Sequence, residues 1–372
     1  MFRLAIDCRM IGSGGIGSFI SGLIPYFLEN AECLLIGTHE QCMDFLRLPN
    51  VEFCFCDTEC FSFKEMFNFN RETLAKINSY DAFFSPYCNI PGKIKIPVFS
   101  TIHDVVFLDV KELTGTIGRL GRKLIYRRAI NKSKCIFTVS NFSKERIIKN
   151  LHPKKNIHVV YNSIPPYLTK SGEDEIPLTQ TFPALKNKNY FIFVGNIKKH
   201  KGLKVLLEAF NKAKNSGLAS LLVIAGNKDN FRTGDEQTVS LIEKMQDEDK
   251  KNNEVSIIFS GKVSNSTLRQ LYKNALALVQ PSLYEGFGMP PLESLYLGTP
   301  AIISDIPVFK EIYDGFPVTF FKAGDKDELS EKLLQAEKNI CKIDTDKLPQ
   351  KYSYKKSAEV ILEKIEACSK IR

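Results

Sequence analysis

The chain has 372 residues, of which 44% are hydrophobic and 25% are charged. These values are typical of globular domains and exclude disordered, collagen-like and coiled-coil chains. The length predicts two domains, each large enough to bury its own core. The formal net charge of +9 favours an anionic partner, such as a nucleotide, a phosphate, a nucleic acid or an acidic membrane surface.

The N-terminus shows no pattern of a secretory signal. Phe2–Asp7 already has the apolar pattern of a buried strand, and no apolar stretch approaches the roughly 18 residues that span a bilayer. The ten cysteines are therefore expected to be reduced and to serve as small hydrophobic residues of a cytoplasmic protein.

Strands and helices alternate along the N-terminal half. The first strand precedes a glycine-rich loop, Gly12–Gly17, and an amphipathic helix over residues 18–28. A helix capped by Ser140 is expected over residues 143–150. Further strands are predicted over residues 34–37, 82–86, 98–102, 135–139 and 157–160. Strands separated by helices indicate a mostly parallel sheet that is covered on both faces.

The segment Pro165–Asn189 interrupts this alternation with prolines and a polar run, and it predicts a linker. The alternation then resumes, with each strand followed by a helix. These strands are predicted over residues 190–194, 221–225, 255–259, 277–280 and 301–304. A last helix, over residues 354–372, lies beyond the second sheet, where it can pack back on the first domain.

This organisation predicts two Rossmann-like, doubly wound α/β domains that face each other across a cleft. The predicted parts are an N-terminal domain (1–165), a linker (166–189), a C-terminal domain (190–352) and the last helix (353–372). Because ligands of open α/β sheets bind at the carboxyl ends of the strands, the cleft is the expected binding site.

The most informative segment follows the predicted strand over residues 277–280 and reads Glu285-Gly-Phe-Gly-Met-Pro-Pro-Leu-Glu293. Gly286 and Gly288 allow backbone amides to approach a ligand, and Pro291 suits the first turn of a helix. Two carboxylates that flank an amide-rich helix start suit a polyhydroxylated ligand with a phosphate. A carboxylate placed only for the helix dipole would explain Glu293, but not the glycines and prolines.

A basic loop, Gly195-Asn-Ile-Lys-Lys-His-Lys-Gly202, follows the strand over residues 190–194. A cation fixed there would stabilise the negative charge that develops on a departing diphosphate. Lys201 is the main candidate, whereas a solvated basic surface is the better explanation for Lys198 and Lys199.

Two N-terminal segments add candidates. Gly12–Gly17 is placed like a dinucleotide-binding loop, but the strand ending at Gly37 lacks the acidic residue that follows in NAD sites. His103 ends the strand over residues 98–102. A lone histidine is more often structural than catalytic, and Asp104 would either orient its ring or cap the next turn.

Together with Gly298-Thr-Pro300 and Ser304-Asp305, the segment Glu285–Glu293 resembles the signature of the family-4 retaining glycosyltransferases, which have the GT-B fold. The resemblance covers most of the chain. It implies a transferase that moves a hexose or deoxyhexose, with mannose weakly favoured, and that acts in surface-polysaccharide or lipopolysaccharide biosynthesis. The donor would be a nucleoside-diphosphate sugar, and the acceptor would be a hydroxyl of a saccharide or a lipid-linked saccharide.

The resemblance also implies roles for individual residues. Glu285 and His103 would be catalytic and contact the transferred sugar, and Glu293 would bind the ribose. The donor-binding set that the resemblance implies comprises Gly15, Asn196, Lys201, Gly286, Phe287, Gly288 and Glu293. The family often has arginine at the position of Asn196, a departure for which Lys198, Lys199 or His200 would compensate.

No cofactor or metal ion is expected. The Asp-x-Asp triplets, which begin at Asp247, Asp325 and Asp344, fall in charged or polar segments away from these candidates. Positive protein groups would therefore replace a divalent cation at the diphosphate.

Gly118–Lys134 contains seven basic residues, no acidic residue and several interspersed apolar ones. It predicts either a helix that lies on anionic lipid headgroups at the inner face of the membrane, or a basic solvent-exposed face with a buried apolar stripe.

Two rival functions stay open. One is a GT-B-like nucleotide-sugar epimerase or phosphorylase. The other is a basic nucleic-acid-binding protein, which would explain the net charge but not the paired carboxylates. Aromatic residues interleaved on a basic face, which base stacking requires, are not evident, so we expect no nucleic-acid partner.

Overall fold

A computed structural model describes residues 2–169, 176–226, 236–339 and 341–369. The chain divides into two compact units. The N-terminal unit comprises the residues up to Pro166 together with those from Lys351 onwards, and the C-terminal unit comprises Tyr167–Gln350. Part of the predicted linker, residues 170–175, and the end of the predicted last helix, residues 370–372, lie outside the described residues.

The N-terminal unit contains a seven-stranded sheet in which every strand pair is parallel. Its strands are β1 (Phe2–Asp7), β2 (Ala31–Gly37), β3 (Val51–Phe55), β4 (Ala82–Ser85), β5 (Val98–Thr101), β6 (Ser133–Thr138) and β7 (Ile157–Val159). The strand order is β3-β2-β1-β4-β5-β6-β7. The central strands are fully buried, because parallel sheets are covered on both faces.

Helices connect these strands, and polar side chains set where several of them begin. The helices are α1 (Gly14–Leu28), α2 (His39–Cys42), α3 (Phe63–Phe67), α4 (Arg71–Ile77), α5 (Val106–Asp109), α6 (Thr116–Lys132) and α7 (Asn141–Leu151). Ser140 caps α7 as predicted, because its hydroxyl accepts a hydrogen bond from the amide of Ser143 at 3.0 Å. The short helix α8 (Pro166–Thr169) follows at the division between the units.

The C-terminal unit contains a second sheet, of six strands, again parallel throughout. Its strands are β8 (Tyr190–Val194), β9 (Leu221–Ala225), β10 (Ile257–Gly261), β11 (Ala277–Gln280), β12 (Ala301–Ser304) and β13 (Val318–Phe321). The helices are α9 (Leu178–Thr181), α10 (Leu203–Asn215), α11 (Glu236–Asn252), α12 (Asn265–Asn274), α13 (Met289–Tyr296), α14 (Pro307–Ile312) and α15 (Lys326–Lys338). The strand order is β10-β9-β8-β11-β12-β13.

The last helix, α16 (Tyr354–Ser369), belongs to the N-terminal unit and packs on α1. The ring of Tyr354 fills the space beside Gly22, where a Cβ atom would lie 2.3 Å from the ring carbons. Phe19 of α1 contacts the same ring, at a centroid distance of 6.5 Å. The prediction that the last helix packs back on the first domain is therefore confirmed.

The prediction of two parallel α/β domains is confirmed, but two strands were not predicted. β3 lies at one edge of the first sheet and β13 at one edge of the second, and most of their residues are partly or fully exposed. Edge strands lack the continuous apolar run of a central strand, so their sequences show little periodic signal. None of the helices in the described ranges is both long and apolar enough to span a bilayer.

Candidate functional site

The strand order of the C-terminal sheet identifies the edge where a ligand would bind. The connections run outward in one direction from β8 and in the other direction from β11, and these two strands are neighbours. Such a switch point leaves a crevice outside the carboxyl ends of the two strands. The basic loop 195–202 follows β8, and the loop 281–288 follows β11, so both predicted donor-binding loops begin at this switch point.

Lys201 and Glu285 meet at this edge. The Nζ atom of Lys201 lies 2.7 Å from Oε1 and 2.6 Å from Oε2 of Glu285. The side chain of Lys201 is 22% exposed and that of Glu285 is 8% exposed, so water only partly screens the ion pair. Ser282 adds a hydrogen bond from its hydroxyl to Oε1 at 2.8 Å. The carboxylate is therefore held on two sides, with the lysine on the more open one.

Backbone contacts hold the two loops against each other. The carbonyl oxygen of His200 accepts a hydrogen bond from the amide of Leu283 at 2.7 Å. Gly202 adopts a φ of +70°, and a Cβ atom there would lie 1.9 Å from the carbonyl oxygen of Pro281. Only glycine meets both conditions without displacing a loop. The glycine that follows Lys201 therefore allows the approach that brings the lysine to Glu285.

The remaining polar residues of the basic loop differ in what they offer. Asn196, Lys198 and Lys199 are exposed, whereas His200 is buried. Burial, reinforced by the charge of Lys201, lowers the pKa of His200 to about 4. His200 is therefore neutral at neutral pH and adds no positive charge there, which leaves the two exposed lysines as the loop's other cations.

The start of α13 is tightly built around Gly288. This residue has a φ of +82°, and a Cβ atom would lie 2.2 Å from the ring of Phe309. The hydroxyl of Tyr313 donates to the carbonyl oxygen of Gly288 and accepts from the amide of Leu292 at 3.0 Å. These contacts fix the direction in which the chain enters the helix.

The first turn of α13 offers fewer amides than its position suggests. The first four N–H groups of a helix normally have no partner within the helix. Here Pro290 and Pro291 have no N–H, and the amide of Leu292 is already bonded to Tyr313. Among these four described positions, Met289 alone keeps an amide for a ligand. This amide belongs to the turn over residues 286–289, which also contains the predicted Gly286, Phe287 and Gly288.

Glu293 is buried and bonded to two tyrosines. Its Oε2 atom accepts from the hydroxyl of Tyr272 at 2.8 Å, and its Oε1 atom accepts from that of Tyr167 at 3.4 Å. Burial raises the pKa of Glu293, although both tyrosine bonds act to lower it. Because each carboxylate oxygen has a second lone pair, the carboxylate is positioned but not saturated. Its bonds involve neither Lys201 nor Glu285 among the described contacts.

In the N-terminal unit, Gly15 lies in the first turn of α1, which begins at Gly14 rather than at residue 18 as predicted. Gly15 is exposed, and a Cβ atom there would meet no heavy atom within 4 Å. The preceding Ser13 forms no side-chain cap on this helix. The position therefore allows an anion to approach the amides at the helix start.

His103 follows β5 and is oriented by its neighbours. Its Nε2 atom lies 2.8 Å from the carbonyl oxygen of Pro86, and its ring meets that of Phe19 edge-on at 5.1 Å. Burial lowers the pKa of His103 to about 4, so the ring is neutral at neutral pH. Because a carbonyl oxygen only accepts, Nε2 carries the proton and Nδ1 is an acceptor. Of the two roles considered for Asp104, its bond from the amide of Val106 at 3.0 Å is that of a cap.

The N-terminal unit also contains a buried charged cluster that was not predicted. Asp7 is the last residue of β1 and Arg9 follows the strand. The Arg9 guanidinium bonds Asp7 at 2.9 Å and 2.6 Å. Glu65 and Tyr87 also contact the guanidinium, and Tyr87 donates to Glu65. Burial raises the pKa of Glu65, although Arg9 acts to lower it. The polar residues Asp7 and Arg9 at the end of a buried strand could have been recognised in the sequence. Glu65 could not, because it lies on the five-residue α3, whose sequence shows no periodic pattern.

Metal-ligand groupings are not found in the part of the chain that the structure describes. There, no group of three or more His, Cys, Asp or Glu side chains is arranged to hold an ion. The expectation that no metal or cofactor is needed stays a prediction.

Comparisons with known proteins define the class. The model "Glycosyl transferases group 1" matches residues 178–356, and the model "Glycosyltransferase Family 4" matches residues 66–167. With the two parallel α/β units, these matches show that the chain belongs to the family-4 glycosyltransferases with the GT-B fold.

Named bacterial relatives match parts of the chain. The O-antigen chain mannosyltransferase RfbU of Salmonella typhimurium is 33% identical over 192 residues, which is 51% of this chain and 47% of that protein. The O-antigen chain mannosyltransferase B of Escherichia coli is 24% identical over 258 residues, 68% of this chain and 64% of the relative. The chain thus spans between about half and two thirds of the length of these two relatives.

Solved structures share the fold along the whole chain. Anabaena Alr3699/HepE, in complex with UDP and glucose, has a TM-score of 0.71 at 14% identity and covers 99% of this chain and 100% of its own. A glycosyltransferase from Rickettsia africae ESF-5 has a TM-score of 0.71 at 15% identity, with 100% and 99% covered.

Proposed function

We propose that the protein is a retaining, metal-independent mannosyltransferase that uses a nucleoside-diphosphate mannose as its donor. The acceptor is a hydroxyl of a saccharide or lipid-linked saccharide in surface-polysaccharide assembly. Mannose is chosen because both relatives described above are named O-antigen mannosyltransferases. The enzyme acts in the cytoplasm, peripherally at the inner face of the membrane.

The contact between Lys201 and Glu285 at the β8/β11 switch point is the observation that supports this proposal most strongly. It places one cation and one carboxylate within 2.7 Å of each other beside a glycine turn. A carboxylate accepts hydrogen bonds from sugar hydroxyls, and an ammonium group stabilises a diphosphate. A sugar diphosphate needs both groups side by side.

The proposed chemistry uses these residues without a covalent intermediate on the protein. The bond between the anomeric carbon and the diphosphate oxygen breaks, and the acceptor oxygen attacks from the same face. The acceptor proton passes to the departing phosphate. Lys201 stabilises the charge that grows on the diphosphate, which lowers the transition state more than the ground state. Glu285 and Glu293 hold the sugar and the ribose. In the N-terminal unit, the neutral His103 offers Nδ1 as an acceptor for a hydrogen bond from a hydroxyl.

A donor screen followed by a transfer assay tests the proposal. Thermal unfolding is measured with GDP-mannose, UDP-glucose, UDP-N-acetylglucosamine and dTDP-rhamnose, because a ligand that binds only the folded state raises the melting temperature. The stabilising donor is then incubated with a lipid-linked saccharide extract. We expect GDP-mannose to stabilise the protein and a product with the donor's anomeric configuration to form in the presence of EDTA.

Other outcomes identify the rivals. Epimerised donor without transfer, or sugar phosphate formed from a glucan and phosphate, would replace the proposal with an epimerase or a phosphorylase. Salt-sensitive binding to DNA or RNA without any nucleotide-sugar binding would support a nucleic-acid-binding protein instead. Transfer that EDTA abolishes and Mg²⁺ restores would contradict metal independence.

A further inference from the structure

Helix α6 exposes an apolar stripe to solvent. Ile117, Leu120 and Leu124 are 89%, 60% and 59% exposed. Leucine and isoleucine are normally among the most buried residue types. At 3.6 residues per turn these three side chains fall within an arc of about 60° on one side of the helix. The stripe is continuous over two turns and is distinct from the stripe that packs on the protein.

The opposite side of α6 is firmly attached to the N-terminal unit. Tyr126, Ala129 and Ile130 are buried there. Arg122 stacks on the same side over the ring of Phe107 at 4.3 Å. Arg128, one turn beyond Leu124, donates to the carbonyl oxygen of Ile90 at 2.7 Å. The helix therefore cannot turn its exposed stripe inward without losing these contacts. Two structures were predicted for this segment, a helix on anionic lipid headgroups and a basic solvent-exposed face with a buried apolar stripe. The second does not account for the apolar side chains that face outward.

The charge of α6 indicates what the stripe contacts. The helix contains six basic residues and no acidic residue. Lys123 and Arg127 lie beside the stripe, and neither forms a hydrogen bond or ion pair within the described ranges. A second copy of the chain would bring two such basic helices together, which like-charge repulsion disfavours. A bilayer with anionic headgroups satisfies both the apolar stripe and the charges at its border.

We propose that α6 docks the protein on an anionic membrane, with Ile117, Leu120 and Leu124 inserted below the headgroups and Lys123 and Arg127 bonded to lipid phosphates. This deepens the membrane attachment in the proposed function. The docking itself does not require glycosyl transfer, so a failure to bind vesicles would leave the donor screen and the transfer assay unaffected.

Sedimentation with vesicles tests the proposal on the full chain without any nucleotide sugar. Phosphatidylcholine vesicles are compared with vesicles that also contain phosphatidylglycerol. We expect binding only to the mixed vesicles. The variant Lys123→Gln/Arg127→Gln should bind roughly 30-fold more weakly, since each basic residue near the surface contributes about 1 kcal/mol. The variant Ile117→Gln/Leu120→Gln/Leu124→Gln should lose about tenfold or more in affinity.

Matched controls separate docking from general changes in charge or hydrophobicity. Lys186→Gln/Lys188→Gln removes the same charge from an exposed segment of the other unit. Met43→Gln/Leu48→Gln/Ile148→Gln replaces three exposed apolar side chains elsewhere in the N-terminal unit. Both controls should bind vesicles like the wild type. Glutamine is chosen because it is a good helix former, and circular dichroism melting verifies that each variant folds.

The absence of tryptophan from the chain allows a direct test of insertion. In Leu120→Trp the new side chain is the only tryptophan, so its emission should shift to shorter wavelength with mixed vesicles and be quenched by brominated lipids. Ile148→Trp, on α7, should show neither effect. The proposal is overturned if the apolar triple variant binds like the wild type, or if the emission of Leu120→Trp is unchanged on bound vesicles.

Discussion

The ammonium group of Lys201 lies 2.7 Å and 2.6 Å from the two carboxylate oxygens of Glu285, although the two residues are 84 positions apart in the sequence. The contact exists because β8 and β11 are adjacent in the sheet and each is followed by a loop that contains one of the two residues. In the absence of donor, Glu285 balances the charge of the lysine. A diphosphate that binds Lys201 would share the ammonium group with Glu285 or replace the carboxylate there.

Replacing Glu285 should separate catalysis from diphosphate binding. Glu285→Gln removes the carboxylate that would hold the sugar, so we expect kcat to fall by roughly 100-fold, the scale of one lost transition-state contact. The affinity for the free nucleoside diphosphate should be unchanged or higher, because Lys201 is no longer neutralised. Asp327→Asn, which breaks the exposed pair with Lys212, is the control and should leave both quantities unchanged. Near-normal turnover of Glu285→Gln would remove this residue from the site.

Gly202 should be required for stability as well as for activity. Gly202→Ala places a Cβ atom 1.9 Å from the carbonyl oxygen of Pro281 and also strains a φ of +70°. Gly217→Ala is a matched control, since its φ of +97° is equally unfavourable but no heavy atom lies within 4 Å. In urea unfolding both should lower the free energy of unfolding by about 1 kcal/mol or more from strain alone. Gly202→Ala should lower the free energy of unfolding by more than Gly217→Ala does, and it alone of the two should lose transfer activity. Equal losses in the two variants would contradict the proposed close approach of the loops.

The half-buried His103 should make the protein less stable in mild acid. Its pKa in the folded state is about 4, against an ordinary value of 6.5. Between these values the unfolded chain binds a proton that the folded chain excludes, so this contribution is complete above 6.5 and is lost as the pH falls. From about pH 7 to about pH 5 it should cost about 2 kcal/mol. Between pH 7 and pH 5, the free energy of unfolding of His103→Gln in urea should therefore fall by about 2 kcal/mol less than that of the wild type. An identical pH dependence in the variant would show that the folded protein does not hold the ring in its neutral form.

Arg9 should be essential to the N-terminal unit. Its guanidinium pairs with Asp7 and Glu65, and all three side chains are almost fully buried. Arg9→Met leaves two carboxylates buried without their cation, which should lower the free energy of unfolding by about 3–5 kcal/mol. Lys76→Met, which breaks an exposed pair with Glu52, should cost about 1 kcal/mol or less. If both variants unfold at similar urea concentrations, the cluster does not stabilise the unit.

The sequence predicts best those features that depend on short-range pattern. Lys201 and Glu285 could be selected because each follows a buried strand and lies beside glycines, so chain order alone places both at strand ends. The strand order is not encoded locally, and the adjacency of β8 and β11 emerges only when the sheet forms. The same limit hid Glu65, which reaches the Arg9 cluster from a short helix without periodicity.

The number of apolar stripes on α6 could not be read from its sequence either. Leucines and isoleucines recur around the helix, and periodicity does not show which of them face the protein. The packing of Tyr126, Ala129 and Ile130 decides this, and it leaves Ile117, Leu120 and Leu124 outside. The first turn of α13 is a similar case. The amide of Leu292 in this turn donates to the hydroxyl of Tyr313, which lies at the end of α14.

The most direct test of the account is the affinity for nucleoside diphosphates, measured by titration calorimetry on the wild type, Lys201→Met and Lys212→Met. Lys212 is the control because it also pairs with a carboxylate, but on an exposed surface. The wild type and Lys212→Met should bind GDP equally. Lys201→Met should bind about 10-fold to 150-fold more weakly, since one charge-assisted contact contributes about 1.5–3 kcal/mol. Equal affinities in all three proteins, or no nucleotide binding by the wild type, would contradict a diphosphate site at Lys201 and Glu285.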